Sequence, residues 1–437
     1  MIIEFSIKNF GSIKDKQTLS FEATKSDDLE DYYVIHGPNN LRLLKMAMIY
    51  GANASGKTTI LMALEFLRDL VLEPEDKKTG LLDFKPFLFD PNTPNENSEL
   101  SIDFLQNNIR YSYQVAFTEK AIITEELYYF NPNKARVYSR TTDLDKQFSN
   151  ISFGSKIKKD KAFDKVLEAN TLWNNTVLGG FLKTNLENHE LTEAQTWFQV
   201  YLRPLILTNT SLGGFITRNI DHGGIEKKHV VEILKKADFH ISDIIISKSE
   251  ESIPDGLIEF LEKTDKIKEV KQEIENLRTR GKVTAMDVSL EHYVEGAKYR
   301  LPLELESQGT RRYYGFAGLL TLLIKKSVIF PIDELESSLH PDLYLHFILS
   351  FLINVKSSQL LFTTHNRELL NRRDVFRNDV IWFANKGESC ATELYSLADF
   401  NSSVIRDTSN VYNAYKTGKL GGIPNLGDYY IDLDNEE

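Results

Sequence analysis

Apolar and polar residues alternate over residues 2–8. Ile3, Phe5 and Ile7 share one face, with Glu4, Ser6 and Lys8 on the other, which predicts a half-buried strand. Residues 46–50 (MAMIY) form a short apolar run that ends at Gly51. Ile60, Leu61, Leu64, Leu67, Leu70 and Val71 then recur at helical spacing, so a glycine-rich segment sits between a strand and a helix. The stretches LSIDFL, YSYQVAF and ELYYF, within residues 100–130, read as strands, and Asn107-Asn108 predicts a hairpin between the first two.

From about residue 160 to about residue 285, helical patterns and polar segments dominate. Within them, Phe260, Ile267, Val270, Ile274 and Leu277 follow a heptad-like register in a Lys- and Glu-rich stretch, 257–282. That register is short for a coiled coil. It reads as an amphipathic helix against its parent domain, with a projecting arm as the alternative. SVIFPI (327–332) and QLLFTT (359–364) are compact apolar runs of the kind found in strands buried on both faces, and the helix-like stretch 341–354 lies between them. This alternation predicts an α/β layer with parallel strands. Pro331 removes a ladder donor from one of those strands, and the pattern alone offers no reason for it.

Composition changes this picture little. The chain has 437 residues, 41% hydrophobic and 26% charged, which suits a globular protein of two to three domains. The net charge of −11 argues against a generally basic nucleic-acid binder, although a local basic patch is compatible with it. A single cysteine, Cys390, excludes an internal disulfide and a thiolate metal site and fits a reducing, cytoplasmic setting. No signal peptide and no membrane-spanning run are expected.

The candidate chemistry lies in four segments. GANASGKT (Gly51 to Thr58) fits the phosphate-loop pattern G-x-x-x-x-G-K-[ST] in full. Its glycines let the backbone fold around phosphate, with the following helix start as an anion cradle. Gly51, Asn53, Ser55, Gly56, Lys57, Thr58 and Thr59 are the expected nucleotide-binding residues. Lys57 would reach the β- and γ-phosphates and Thr58 would ligate Mg²⁺. The run SVIFPIDE ends in two acids at a strand C-terminus, where α/β sheets bind ligands. Asp333 would hold the Mg²⁺ shell and Glu334 would polarise the attacking water. QLLFTTHN places His365 at the same sheet edge, able to donate to the γ-phosphate. ESQGTRR opens a helical stretch, where Ser307 and Gly309 serve as a cap or an anion site. No guanine-reading motif sits at a useful place, so ATP is favoured over GTP.

These segments, in this order, resemble the ABC-type ATPase heads, which include the SMC proteins, RecF and the OLD nucleases. The resemblance implies an α/β P-loop NTPase with a mixed sheet, N-terminal antiparallel strands and a largely helical insertion. It implies lobes at 1–160 and 296–437 around an insertion at 161–295. It makes Ser307 and Gly309 a signature that meets ATP bound to a second protomer, although ESQGT departs from LSGGQ at its first, third and fifth positions. It makes Glu334 the catalytic glutamate, Ser338 to His340 a dimer-interface loop, and His365 the switch histidine. FSIKNFGSIKD, GANASGKT, PFLFD, ESQGTRR, DELESSLHP, TTHN and RDTSNVYNAYKTGKLGGIP together look like the RloA/AbiLi-type ATPases of bacterial phage defence. That narrower resemblance implies an ATP- and Mg²⁺-dependent homodimer or higher oligomer. It implies a sensor triggered by a phage protein or DNA that controls a separate nuclease or toxin.

The alternative is a RecF- or SMC-like DNA-maintenance ATPase, with basic residues at 156–165 and 263–282 lining a path. A transporter subunit fits the long insertion poorly. The last segment also reads simply as a helix, a glycine stop and a turn. About 70 residues follow His365, too few for a Toprim nuclease domain, so no nuclease activity is expected in this chain. Asp432 and Asp434 lie in an acidic tail, and Arg218, Asn219 and His222 are spaced too closely for an RNase pattern.

Overall fold

The computed structural model describes residues 1–159, 162–237, 239–252, 282–400 and 411–423. The heptad-like stretch 257–281, the tail aspartates, Arg406 and most of the basic residues at 263–282 lie outside the described residues. The chain divides into two units. One comprises Met1–Asn209, Leu323–Ser337 and Ile348–Glu437, and the other Thr210–Leu322 and Ser338–Phe347.

The first unit is built on two large sheets and also holds a two-stranded one of Val34–His36 and Arg42–Leu44. The first is a seven-stranded antiparallel sheet in the order Phe148–Phe153, Lys134–Asp143, Ile122–Phe130, Ile109–Phe117, Ser98–Gln106, Ile2–Lys8 and Gln17–Ser20. Ile3, Phe5 and Ile7 face the core as their alternation requires, and Ser6 is buried by its bond to Thr18. Asn107 and Asn108 close the hairpin with φ of 47° and 62°, both left-handed, as a two-residue primed turn demands. The second sheet runs Ile329–Ile332, Gln359–Thr364, Met46–Tyr50, Ile381–Lys386 and Thr392–Ser396. Its first four strands are parallel and the last is antiparallel. Every residue of Met46–Tyr50 and Gln359–Thr364 is buried, which is why both lack the alternation of a half-exposed strand.

Gln359 joins the two sheets. Its amide oxygen accepts from the Ile2 N–H at 2.6 Å, and its amide nitrogen donates to the carbonyls of Ile2 (3.0 Å) and Leu44 (3.1 Å). A buried amide satisfied on both atoms fixes the register between layers.

The structure also accounts for Pro331. The Ile329 and Pro331 carbonyls accept from Arg203 and Ile206, and Asp333 donates to the Ile206 carbonyl. Backbone groups of alternate residues point to the same side of a strand. The missing donor of Pro331 therefore faces the irregular, Pro204-containing segment 202–206 and not the ladder with Gln359–Thr364.

The helix Lys57–Leu72 buries Ile60, Leu61, Leu64, Leu67, Leu70 and Val71. Thr176 caps the helix Val177–Leu182 and also donates to the Leu70 carbonyl at 2.9 Å, tying the two helices together. Further helices, at Phe163–Asn170 and His189–Thr196, belong to this unit.

In the second unit the helices Gly213–Asp221 and Lys227–Lys236 accompany a three-stranded antiparallel sheet of Ile241–Ser252, Lys282–Val294 and Ala297–Pro302. The 161–295 stretch thus holds two long strands as well as its helices. The first sheet also extends past the four strands legible in the sequence, to Gln17–Ser20, Lys134–Asp143 and Phe148–Phe153.

Candidate functional site: a phosphate loop facing two acids and a histidine

The loop after Met46–Tyr50 leaves a parallel strand buried on both faces and enters the helix at Lys57. Gly56 has φ 97°, and a Cβ there would lie 2.6 Å from Ser12 Oγ and also collide with Thr392. Gly51 is pressed against the Ala384 carbonyl, 2.5 Å from where its Cβ would be. Only glycine fits either place. The loop encloses a recess of ≈ 160 Å³ lined by Ser12 and Ala54 to Thr59. Asn53 is exposed at its tip. The Ser55 hydroxyl is buried with no hydrogen-bond partner among the described residues.

Lys57 is buried and its ammonium donates to the Gly51 and Ala52 carbonyls, each at 3.0 Å. Burial pulls its pKa below the usual lysine range, and Glu334, Asp333 and Glu336 act in the opposite direction.

Thr58 and Asp333 meet although 275 residues separate them. Thr58 Oγ1 lies 3.1 Å from both Asp333 carboxylate oxygens. Thr363 completes the arrangement: its hydroxyl donates to Asp333 Oδ1 at 2.7 Å and accepts from the Glu334 N–H at 2.8 Å. One hydroxyl thereby orients both acids. It also holds Glu334 at φ 45°, a left-handed conformation that a side-chain-bearing residue adopts only when its surroundings enforce it. Glu334 Oε1 lies 3.3 Å from His365 Nε2, and the His365 backbone N–H donates to Glu336 Oε1. The second oxygen of Glu336 is buried without a partner among the described residues.

Thr58 and Asp333 are hard oxygen donors, few in number, side by side at the phosphate recess. That donor set suits Mg²⁺, which takes one or two protein ligands and completes its shell with water and phosphate. Among the described residues no group of three or more His, Cys, Asp or Glu side chains forms an all-protein metal cage.

Of the remaining expected residues, Ser307 and Gly309 belong to the second unit. Ser307 Oγ accepts from the Thr310 N–H at 3.0 Å, which makes it a helix cap. A Cβ on Gly309 would lie 3.2 Å from the Ser338 carbonyl, so Gly309 and Ser338 lie close together within that unit.

Four site residues escaped the sequence reading. Thr392 donates to the Ser55 carbonyl at 2.8 Å, and its hydroxyl lies 2.8 Å from that of Ser12. Neither has a local signal beyond the Gly11-Ser12 turn. Thr363 and Glu336 sit inside recognised segments, but nothing in the pattern singles them out.

A buried parallel strand, a phosphate loop, a loop helix and, one strand removed in the same sheet, a strand that leads into two acids define a P-loop ATPase domain. A family model described as "AAA domain, putative AbiEii toxin, Type IV TA system" matches residues 46–179 and 245–371, well over half of the chain, and the chain belongs to that family. The SMC head domain from Thermotoga maritima is similar at 13% identity and a TM-score of 0.41, over 90% of this chain and 98% of that one. An Smc head bound to the C-winged helix domain of ScpA gives 12% and 0.41, over 90% and 97%. An Smc head with an extended coiled coil, bound to the C-terminal domain of ScpA derived from Pyrococcus furiosus, gives 11% and 0.38, over 96% and 98%. No curated protein matches the chain. Among the described residues no helix is long and apolar enough to cross a membrane.

Proposed function

We propose that this chain is an ABC-type ATPase that binds and hydrolyses ATP with Mg²⁺ and acts as a cytoplasmic sensor in phage defence, controlling a separate nuclease or toxin. The observation that carries the ATPase reading is the meeting of Thr58 with Asp333 at 3.1 Å, with Glu334 beside it. In this reading Gly51, Asn53, Ser55, Gly56, Thr58 and Thr59 hold the triphosphate. Lys57 leaves the Gly51 and Ala52 carbonyls to neutralise the β- and γ-phosphates. Thr58 and Asp333 hold Mg²⁺, which supplies charge neutralisation on the phosphates when bound. Glu334 accepts the proton of the attacking water, and His365 donates to the γ-phosphate.

The same reading has two protomers sandwich ATP between the phosphate loop of one and Ser307 and Gly309 of the other. Hydrolysis then opens the pair and releases the output, a γ-phosphate-dependent switch. The lobes are 1–160 and 296–437, around the 161–295 insertion. The toxin–antitoxin wording of the family description supports a defence role, as do the segments shared with the RloA/AbiLi type. A DNA-clamping function draws less support: Lys159, in the basic stretch 156–165, is taken up by Asp164 and the Phe153 ring.

The test is Mg²⁺-dependent phosphate release, together with oligomer size, for the wild type and for Glu334→Gln. The variant is expected to bind ATP, stop hydrolysing and accumulate as a closed dimer. Hydrolysis at the wild-type rate removes Glu334 from its role. DNA-stimulated, salt-sensitive activity favours the DNA reading, and toxicity that depends on a co-encoded protein favours the defence one.

A further inference from the structure

The segment Val411–Ile423 takes no part in the chemistry above, yet it is packed against the back of the phosphate loop. The helix Val411–Lys416 stops at Gly418 (φ 77°), and the turn that follows is fastened by three hydrogen bonds. Tyr415 OH donates to the Gly422 carbonyl at 2.8 Å, Tyr395 OH donates to the Leu420 carbonyl at 2.7 Å, and the Gly422 N–H donates to Asn385 Oδ1 at 2.9 Å. The Tyr415 ring lies edge-on to Tyr50, with centroids 6.0 Å apart, and stacks on Phe383 at 5.5 Å.

These contacts converge on one place. Tyr50 is the last residue of the phosphate-loop strand. A Cβ on Gly422 (φ 67°) would lie 3.5 Å from both Gly51 Cα and the Ala384 carbonyl. Gly51 is itself pressed against that same carbonyl, and its own carbonyl accepts from Lys57. The path from Gly422 through Gly51 to Lys57 is continuous, with Gly422 in van der Waals reach of Gly51 and the Gly51 carbonyl bonded to Lys57. A glycine at 422 allows the left-handed turn that brings the chain up to Gly51. A side chain at Gly421 would run into the Tyr395 hydroxyl.

We propose that the turn Lys419–Ile423 is a positioning element of the phosphate loop, holding Gly51 and through it Lys57 in the phosphate-binding arrangement. Loosening the turn weakens nucleotide binding, and nucleotide binding steadies the turn, because such a coupling is reciprocal. A partner that engages this end of the chain thereby gains a lever on ATP affinity. The inference rests on the nucleotide-binding reading of the site.

The test uses the full chain and the double variant Tyr395→Phe/Tyr415→Phe, which removes two hydroxyls and keeps both rings. Binding of Mg²⁺-ATP and of inorganic tripolyphosphate is measured by calorimetry, and backbone amide exchange by mass spectrometry. The dissociation constants of both ligands are expected to rise by the same factor, about tenfold for two lost hydrogen bonds. Amides of 51–57 are expected to exchange faster while the strands Ser98–Gln106 and Ile109–Phe117 stay protected. In the wild type, saturating ATP is expected to slow exchange at 418–423. Unchanged affinities with unchanged exchange at 51–57 overturn the proposal, as does a loss confined to ATP, which places the defect at the base. Lys57→Ala separates this from failure of the underlying reading. If Lys57→Ala binds ATP as the wild type does, the nucleotide reading falls. If it loses ATP while the double variant binds normally, only the positioning role falls.

Discussion

Glu334 Oε1 lies 3.3 Å from His365 Nε2, while the backbone of the same histidine is held by Glu336. The proposed base therefore sits within ion-pair distance of the proposed γ-phosphate contact. Glu334→Gln is predicted to lower the turnover number by about 10²- to 10⁴-fold, the usual contribution of a positioned general base. ATP affinity is expected to change little. Single-turnover phosphate release alongside equilibrium binding checks both halves of the statement.

Thr363 offers a test that leaves every proposed ligand in place. Its hydroxyl bonds both Asp333 Oδ1 and the Glu334 N–H. Thr363→Val keeps the shape and removes both bonds. Outer-shell partners of a metal ligand typically change metal affinity 10- to 100-fold, so the Mg²⁺ concentration for half-maximal ATPase activity is expected to rise by about that factor. An unchanged Mg²⁺ titration denies Asp333 its proposed role or Thr363 its influence on it.

Tyr50 carries a fully buried hydroxyl with no partner among the described residues, and burial drives its pKa far above the usual phenol value. An unsatisfied buried hydroxyl costs about 1–3 kcal/mol. Tyr50→Phe removes it and keeps the ring against Tyr415 and Phe383. The variant is predicted to match or exceed the wild type in denaturant midpoint. A loss of more than about 1 kcal/mol reveals a partner for the hydroxyl.

Asp69 sits on the loop helix between Glu65 and Glu73, one turn away on either side. Burial first, and then those two carboxylates, push its pKa up to about 7, against the Arg68 guanidinium 3.3 Å away, which lowers it. A carboxyl with a raised folded-state pKa holds its proton more tightly when folded. Its contribution is fully present below about pH 4 and is lost as pH rises through about 7. Asp69→Asn is therefore predicted to flatten the fall in stability across that window and to be the more stable form at pH 8. The side chain is 41% exposed, so screening keeps the gain small, about 0.5 kcal/mol for two relieved like-charge pairs. Thermal melts at pH 4.5 and pH 8 decide it: equal shifts at the two values contradict the assignment.

What could be read from the sequence was what is local. The phosphate loop, its strand, its helix and the Asp333-Glu334 pair are written in consecutive residues, and the structure places Thr58 against Asp333. The strand Lys134–Asp143 was not legible because charge occupies a core position, and Phe148–Phe153 because its polar Ser149 is buried while its apolar Phe148 is exposed. Arg140 is completely buried with Glu125, whose carboxylate also accepts from Tyr113, Tyr138 and the Val177 N–H. An arginine facing inward breaks the alternation by which strands are recognised. Thr392 and Ser12 were invisible for a different reason. Each acts through a partner far along the chain, and a lone hydroxyl has no periodicity. Pro331 became intelligible only once its neighbour was known to be the irregular segment 202–206.

The 275 residues between Thr58 and Asp333 also carry a meaning in time. Chains emerge at about 5–20 residues per second, so the phosphate loop exists for roughly 15 to 55 s before its acidic partner has been made. The Ile2 backbone waits longer still for the Gln359 amide that ties the two sheets together. A nascent chain therefore carries the triphosphate cradle without the groups that would make it turn over. For a protein proposed to release a toxic output, that order of birth withholds the activity until the segment carrying Asp333 and Glu334 has been synthesised.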